Sequence, residues 1–199
     1  MIMKIGLGID THQLIPGNSI RLGGIDIPSN VSIKAHSDGD IIYHAIADSI
    51  LGAIGAGDIG DHFPDTDPKN KNLDSRAIVM HAIKLAIEKK LILNNLDITL
   101  LLESPKISDE QYKSEMKLNI CEIFLEAFHI CCPDIRSKTE PLNLFTEDMI
   151  NIKASTSESL GFIGKGQGVT CYCIVSLKNL NADVLKEALH RFVGKDYQV

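Results

Sequence analysis

The spacing of apolar residues divides the chain into short strands and amphipathic helices. Alternating or continuous apolar runs bounded by turn residues predict strands at residues 3–10, 95–103, 150–154 and 169–177, and a second strand or hairpin at 19–28. Apolar residues at helical spacing predict helices at 39–54, 73–90, 109–128 and 183–193. Residues 58–72 are rich in Asp, Pro, Gly and Asn and are therefore predicted to form a loop.

The first two predicted helices have polar residues suited to cap their N-termini. Ser37 or Asp38 is expected to cap the helix that starts near Gly39, and Asp74 the helix that follows the acidic loop. The order of the elements mixes hairpins with crossovers. This order predicts an α+β fold, with a small mixed β-sheet and helices packed on one face.

One predicted strand has apolar residues on both of its faces. Ile98, Leu100 and Leu102 alternate with Thr99 and Leu101. An open apolar sheet face on a small domain indicates an oligomer.

Composition narrows the functional classes. The 199 residues suit one domain, and the formal net charge of −6 does not point to nucleic acid or an anionic membrane as a partner. An anionic substrate would therefore need local help from a metal, a lysine or backbone N–H groups.

The five cysteines are odd in number and form no CxxC pair, which favours reduced thiols. We see no targeting peptide and no apolar run of membrane-spanning length, so we expect a cytoplasmic protein.

The stretch GIDTH places Asp10 and His12 two residues apart in the first strand, so both side chains project from one face. A carboxylate and an imidazole make up two-thirds of a typical catalytic zinc site. The first helix offers Asp40, His44 and Asp48 at a spacing of four, and His44 is the best third ligand. The alternative is a solvated Asp10 and a histidine satisfied within the core.

Three polar segments are further candidates. His36 and Ser37, at a helix N-terminus, could hold a phosphate, or they could belong to an ordinary helix start. The loop 58–68 could bind sugar hydroxyls, or it could be a solvated acidic turn. The hydroxyl groups and Glu158 that follow the strand 150–154 are suited to bind phosphate oxygens and Mg²⁺. The glycines after them do not form a Walker A loop and could be ordinary turn residues.

Together these segments resemble the methylerythritol cyclodiphosphate synthase family of the non-mevalonate isoprenoid pathway. The similar stretches are, in order, GIDTH, RLGGIDIP, AHSDGDIIYHAIADSILGAIGAGDIGDHFPDTD, DSR, SPK and NIKASTSESLGFIGKGQGV. The resemblance implies a cyclising lyase that acts on 4-diphosphocytidyl-2-C-methyl-D-erythritol 2-phosphate. The 2-phosphate attacks the β-phosphorus, CMP leaves, and 2-C-methyl-D-erythritol 2,4-cyclodiphosphate forms.

The resemblance also implies site residues and an assembly. It assigns Zn²⁺ to Asp10, His12 and His44, and Mg²⁺ or Mn²⁺ bridging the substrate diphosphate to Glu158. It implies a homotrimer with active sites between subunits and sheets facing inward around the threefold axis. The catalytic residues it implies are Thr156 and His36, and the substrate-binding residues are His36, Ser37, Asp58, Gly60, Phe63, Asp65, Lys106, Ser155 and Thr156.

The similar region predicts a synthase domain over residues 1–178 with an unusual insertion at about 131–149. We expect this insertion to be an exposed loop with one helical turn near Phe145. Residues 179–199 are expected to form a C-terminal helical extension.

Two other classes of protein remain possible. A metal-dependent phosphohydrolase would use water where the synthase uses an internal phosphate. A non-catalytic nucleotide-binding trimer would be expected to have a damaged ligand set, whereas here Asp10, His12, His44 and Glu158 are all present.

Overall fold

A five-stranded mixed sheet with helices packed against it forms the structure, a computed structural model that describes residues 3–35, 37–64, 66–70, 73–133 and 144–181. The strands are β1 Met3–Pro16, β2 Ser19–Leu22, β3 Ile25–Pro28, β4 Val31–Lys34, β5 Leu91–Leu101, β6 Ile150–Ser155 and β7 Gly168–Asn179. The helices are α1 Ile41–Ile54, α2 Ile59–His62, α3 Ser75–Glu88, α4 Glu110–Cys131 and α5 Gly161–Gly164, and 3-10 turns lie at Pro68–Asn70 and Glu147–Met149.

The sheet has the order β4-β1-β7-β5-β6, and β2 and β3 form a separate hairpin. Strand β1 is antiparallel to β4 and β7, β7 is antiparallel to β5, and β5 is parallel to β6. The predicted α+β fold with a mixed sheet is therefore confirmed. Strand β1 extends six residues beyond its predicted end, and β4 was not predicted.

Two glycines of β1 allow helix α1 to lie directly on the sheet. A Cβ at Gly6 would come within 1.9 Å of the carbonyl oxygen of Ser49, and one at Gly8 within 2.0 Å of that of Ala45. The even-numbered residues of β1 thus face α1. Asp10 and His12 continue this face beyond the glycines, which directs them toward the start of α1.

The odd-numbered residues of β1 form an exposed apolar surface on the opposite face. Leu7 pairs with Ile174 of β7, and Ile9 pairs with Tyr172. Leu7 is 57% exposed, and its three neighbours are also exposed. We call these four residues, together with Met3 and Ile5, the outer apolar face. The predicted assembly that would cover it stays a prediction.

Helix α1 begins two residues later than predicted, and its cap differs. The prediction that Ser37 or Asp38 caps α1 is wrong, because the N-cap is Asp40. The Asp40 carboxylate is fully buried and its hydrogen bonds also attach the β2–β3 hairpin to α1. It accepts hydrogen bonds from the backbone N–H groups of Gly23, Gly24, Ile42 and Tyr43, at 2.9, 2.6, 3.2 and 3.2 Å respectively.

Two segments predicted as loops are more ordered. Within 58–72, helix α2 forms because the side chains of Asp58 and Asp61 cap it reciprocally. Near the end of the insertion, Phe145 is buried against Phe124 and Phe128, with ring centroids 5.5 and 6.2 Å apart. The prediction of an exposed loop is wrong there, although a helical turn does form at Glu147–Met149.

The remaining predictions concern regions that the structure covers only partly. Residues 134–143 of the insertion and the predicted helix 183–193 lie outside the described residues. Among the helices that are described, none has the length and apolar character needed to cross a membrane.

Candidate metal centre and substrate cavity

Three side chains from two elements converge where β1 passes the first turn of α1. The Nε2 atom of His12 and the Nδ1 atom of His44 each lie 3.0 Å from Oδ2 of Asp10. One ligand atom from each residue falls within 4.8 Å of the others. A carboxylate with two imidazoles is a donor set found in catalytic zinc sites, with a further position left for substrate or water.

The charges of these groups are coupled. Burial raises the pKa of Asp10, but the contacts with His12 and His44 outweigh it and hold that pKa well below its usual range. The contact with Asp10 raises the pKa of His12. The Nε2 atom of His12 is buried, and among the described residues no hydrogen bond of good geometry satisfies it. An imidazole nitrogen aimed at a carboxylate without a proper hydrogen bond fits a metal ligand.

A cavity of about 460 Å³ lies beside these three residues. Its walls come from β1, α1, the segment between them, and the region from α2 to α3. The lining residues are Asp10, His12, Ser37, His44, Asp48, Ile59, Gly60, Phe63, Pro64, Asn70, Leu73 and Ile78. The volume is in the range of small-molecule sites.

The structure brings several predicted substrate residues to this cavity. Ser37, Gly60 and Phe63 line it. Asp58 is exposed at the N-cap of α2, next to the cavity wall. The remaining two predictions for this region, His36 and Asp65, lie outside the described residues.

The other predicted residues line a second pocket of about 220 Å³, at the ends of β5 and β6. Lys106, Ser155 and Thr156 belong to it, and Lys113 lines it as well. The Thr156 hydroxyl donates to Oε1 of Glu158 at 2.9 Å, which places this carboxylate beside the pocket. No described residue lines both this pocket and the first cavity.

The strand register separates the two pockets within one chain. Ser155 pairs with Leu101, Leu101 with Thr170, and Thr170 with Thr11, which follows Asp10. Three strand spacings amount to about 14 Å. The predicted residues therefore form two groups at the same end of the sheet, one around the Asp10 cluster and one around Ser155.

Sequence reasoning offered Asp48 only as an alternative metal ligand, and it did not single out Ser75, which is buried beside His44 and does not line the cavity. Asp48 accepts a hydrogen bond from the backbone N–H of Ile59 at 2.9 Å and so connects α1 to α2, while burial raises its pKa. Its spacing of four residues from His44 was the available signal. The Ser75 hydroxyl lies 2.9 Å from Nε2 of His44, and its only signal was the triplet DSR.

The chain is similar to known proteins along most of its length. The model of the YgbB family matches residues 3–131. This chain belongs to the YgbB family. The 2-C-methyl-D-erythritol 2,4-cyclodiphosphate synthase of Geobacter metallireducens is 40% identical over 176 residues, covering 88% of this chain and 99% of that protein.

Solved structures of YgbB-like proteins share the fold. The bifunctional IspDF of Campylobacter jejuni is 35% identical with a TM-score of 0.75, and the match covers 89% of this chain and 42% of that longer one. IspF of Plasmodium falciparum in complex with CDP is 31% identical with a TM-score of 0.70, over 90% of this chain and 97% of that one. The similarity in fold thus covers about nine-tenths of this chain.

Proposed function

We propose that this chain converts 4-diphosphocytidyl-2-C-methyl-D-erythritol 2-phosphate into 2-C-methyl-D-erythritol 2,4-cyclodiphosphate and CMP. The reaction is an intramolecular phosphoryl transfer, and the enzyme is a CMP-releasing cyclising lyase of isoprenoid biosynthesis. The observation that carries the proposal is the convergence of Asp10, His12 and His44 on a cavity lined by Ser37 and Gly60.

Asp10, His12 and His44 would hold a Zn²⁺ ion, because their donor atoms suit it and Nε2 of His12 lacks another satisfactory partner. Bound there, the ion supplies Lewis-acid stabilisation of phosphate charge. Glu158, beside the Thr156 hydroxyl, would hold a Mg²⁺ or Mn²⁺ ion, which would neutralise negative charge on the substrate diphosphate.

The protein's own residues act by positioning the substrate. His36 and Ser37 hold the attacking 2-phosphate, Asp58 and Gly60 contact the ribose, and Asp65 binds the methylerythritol hydroxyls. Phe63 contributes to the wall of the same cavity. A phosphate dianion is already a nucleophile, so no protein base has to activate it. Fixing attacker and electrophile in line supplies effective molarity, worth up to about 7–11 kcal/mol in well-oriented systems.

The nucleotide half of the substrate would bind the second pocket, through Lys106, Ser155 and Thr156. One chain places this pocket about 14 Å from Asp10, as judged from strand spacing. A homotrimer in which one subunit offers the metal cavity and its neighbour the nucleotide pocket accounts for this separation. The outer apolar face supports such an assembly, because a hydrophobic surface of this kind is usually buried.

The catalytic domain is proposed to comprise residues 1–178, with residues 179–199 as an extension. A cytoplasmic location agrees with the five free cysteines, since reduced thiols are usual in that compartment.

A product assay with one variant tests the proposal. The purified protein is incubated with the cytidine-linked substrate and Mg²⁺, and products are followed by phosphorus NMR with and without a zinc chelator. We expect CMP and a cyclic diphosphate, both lost on chelation. His44→Ala should abolish turnover with the fold retained, whereas His129→Ala, near the C-terminal end of α4 and outside the lining of both pockets, should remain active.

Other products would contradict the proposal. CMP accompanied by an open-chain bisphosphate would identify a hydrolase. Zinc binding without any turnover would identify a nucleotide-binding protein. Normal cyclisation by His44→Ala would refute the metal assignment.

A further inference from the structure

Behind His44, on the side of its ring away from Asp10, lies a group of polar side chains that the proposed reaction does not use. Ser75 comes from the first turn of α3, Asp38 from the segment before α1, and Arg21 from strand β2. Ser75 is completely buried. The group thus joins three distant segments of the chain at the back of one metal ligand.

The hydrogen bonds of this group fix the direction in which Ser75 donates. Nε of Arg21 lies 3.2 Å from Oδ2 of Asp38, an ion-pair distance, so the carboxylate is paired with a permanent positive charge. An ionised carboxylate can only accept hydrogen bonds. Its Oδ1 atom accepts from the backbone N–H of Asp40 at 3.2 Å and from the Ser75 hydroxyl.

The direction of that hydrogen bond in turn fixes the proton on His44. Ser75 has a single hydroxyl proton, and it is given to Asp38. Its oxygen therefore presents lone pairs to Nε2 of His44, 2.9 Å away. A favourable contact at this distance requires Nε2 to carry a proton and to donate it. Ser37 is the weaker neighbour, because its hydroxyl lies 3.3 Å from the same nitrogen, beyond the usual hydrogen-bond range of about 2.7–3.2 Å.

A proton on Nε2 leaves Nδ1 as the nitrogen that can bind a metal. Nδ1 is the atom 3.0 Å from Oδ2 of Asp10, and Nε2 of His12 lies at the same distance from that oxygen. Two nitrogen lone pairs and a carboxylate oxygen pointing at one another repel unless a cation lies among them. The side chains behind His44 thereby favour a metal ion in front of it.

We propose that Ser75, held by Asp38, is a positioning residue that keeps His44 in the tautomer with Nε2 protonated and so presents Nδ1 to the metal. This inference rests on the metal centre of the proposed function and assigns roles to Asp38 and to Ser75, the middle residue of the DSR triplet. Outer partners of metal-binding histidines commonly contribute 10- to 100-fold in metal affinity.

Zinc affinity, measured by competition with a chromophoric chelator, tests the inference without reference to turnover. We expect Ser75→Ala to weaken Zn²⁺ binding by about 10- to 100-fold. Asp38→Ala should weaken it similarly, because the freed Ser75 hydroxyl can then donate to His44 and favour the other tautomer. Ser75→Thr, which keeps the hydroxyl, should retain most of the affinity.

The matched control is Ser49→Ala, which removes another buried helix serine. The Ser49 hydroxyl donates to the carbonyl oxygen of Ile46 at 2.7 Å and does not contact the three metal ligands. The zinc affinity of Ser49→Ala should equal that of the unmodified protein. Urea unfolding of each variant separates a loss of zinc affinity from a loss of fold.

A spectroscopic measurement tests the tautomer on the unmodified protein and needs no variant to fold. Nitrogen-15 NMR of the zinc-loaded protein with labelled histidine should show His44 bound to zinc through Nδ1 and carrying a proton on Nε2. Ligation through Nε2 would overturn the inference. So would zinc affinity in Ser75→Ala and Asp38→Ala equal to that of the control. A wild-type protein that binds no Zn²⁺ would overturn both this inference and the proposed metal centre.

Discussion

Replacing Gly8 with alanine tests the close approach of α1 to β1, on which the metal centre depends. The new Cβ would lie 2.0 Å from the carbonyl oxygen of Ala45 and 2.7 Å from the backbone nitrogen of Ser49. Ordinary contact begins at 3.4 Å, which is 1.4 Å longer than the shorter distance. Both obstructing atoms are backbone, so no side-chain rotation relieves the clash and the helix itself must move.

The expected cost follows from that displacement. Overpacking of a well-packed core typically costs about 1–3 kcal/mol, and we expect Gly8→Ala to reach the upper end because two backbone atoms obstruct it. The same shift moves His44, one residue before Ala45, away from Asp10. A misplacement of about 1 Å at a catalytic site can lower the rate by about 100-fold. We therefore expect Gly8→Ala to lose both stability and zinc affinity.

Gly52→Ala is the matched control, because it adds the same methyl group to the neighbouring helix. The nearest atom to its Cβ is the carbonyl oxygen of Leu7 at 4.0 Å, so the space is open. Alanine is favoured over glycine inside a helix by about 1 kcal/mol, and this variant should be slightly more stable.

The assay is urea unfolding followed by circular dichroism, with all proteins at one concentration. Gly8→Ala should unfold at lower urea than the unmodified protein and Gly52→Ala at the same or higher urea. Zinc content is measured on the same samples. If Gly8→Ala unfolded at or above the urea concentration of the unmodified protein, the proposed close packing of α1 on β1 would be wrong.

Three further predictions concern other parts of the molecule. Asp40→Ala removes the acceptor of four backbone N–H groups, of which that of Gly24 is half-buried and the other three are buried. Each unpaired buried group costs about 1–3 kcal/mol, so urea unfolding should show a loss above about 3 kcal/mol, and an unchanged midpoint would contradict the capping role. Burial, and next the charge of neighbouring His62, lowers the pKa of His81 from 6.5, so below about pH 6.5 the unfolded chain binds more protons than the folded one. The free energy of unfolding should therefore fall as the pH drops below about 6.5, and it should fall less steeply in His81→Phe. Leu7→Lys places a charge in the outer apolar face and should therefore dissociate the proposed homotrimer to the 21.8 kDa chain in light scattering. If the unmodified protein is a trimer and the variant is too, this face is not the interface.

The amino-acid sequence by itself determined the local features of this protein. Period-two alternation in β1 puts Asp10 and His12 on one face, and helical spacing puts His44 on the helix packed against it. These patterns depend on the geometry of a few consecutive residues, which is why the triad could be predicted. The activity was predicted from the segments that resemble the synthase family, because residue spacing alone did not distinguish a synthase from a hydrolase.

Only the tertiary structure decided how distant segments meet. Nothing near Asp40 in the sequence indicates that its buried carboxylate would accept hydrogen bonds from Gly23 and Gly24 and displace Ser37 as the cap. The contact between Ser75 and His44 joins residues far apart in the chain, and it depends on how α3 packs against α1. Such contacts are set by the packing of whole elements around a common core. The local periodicity of a sequence does not indicate which partner each polar group will have.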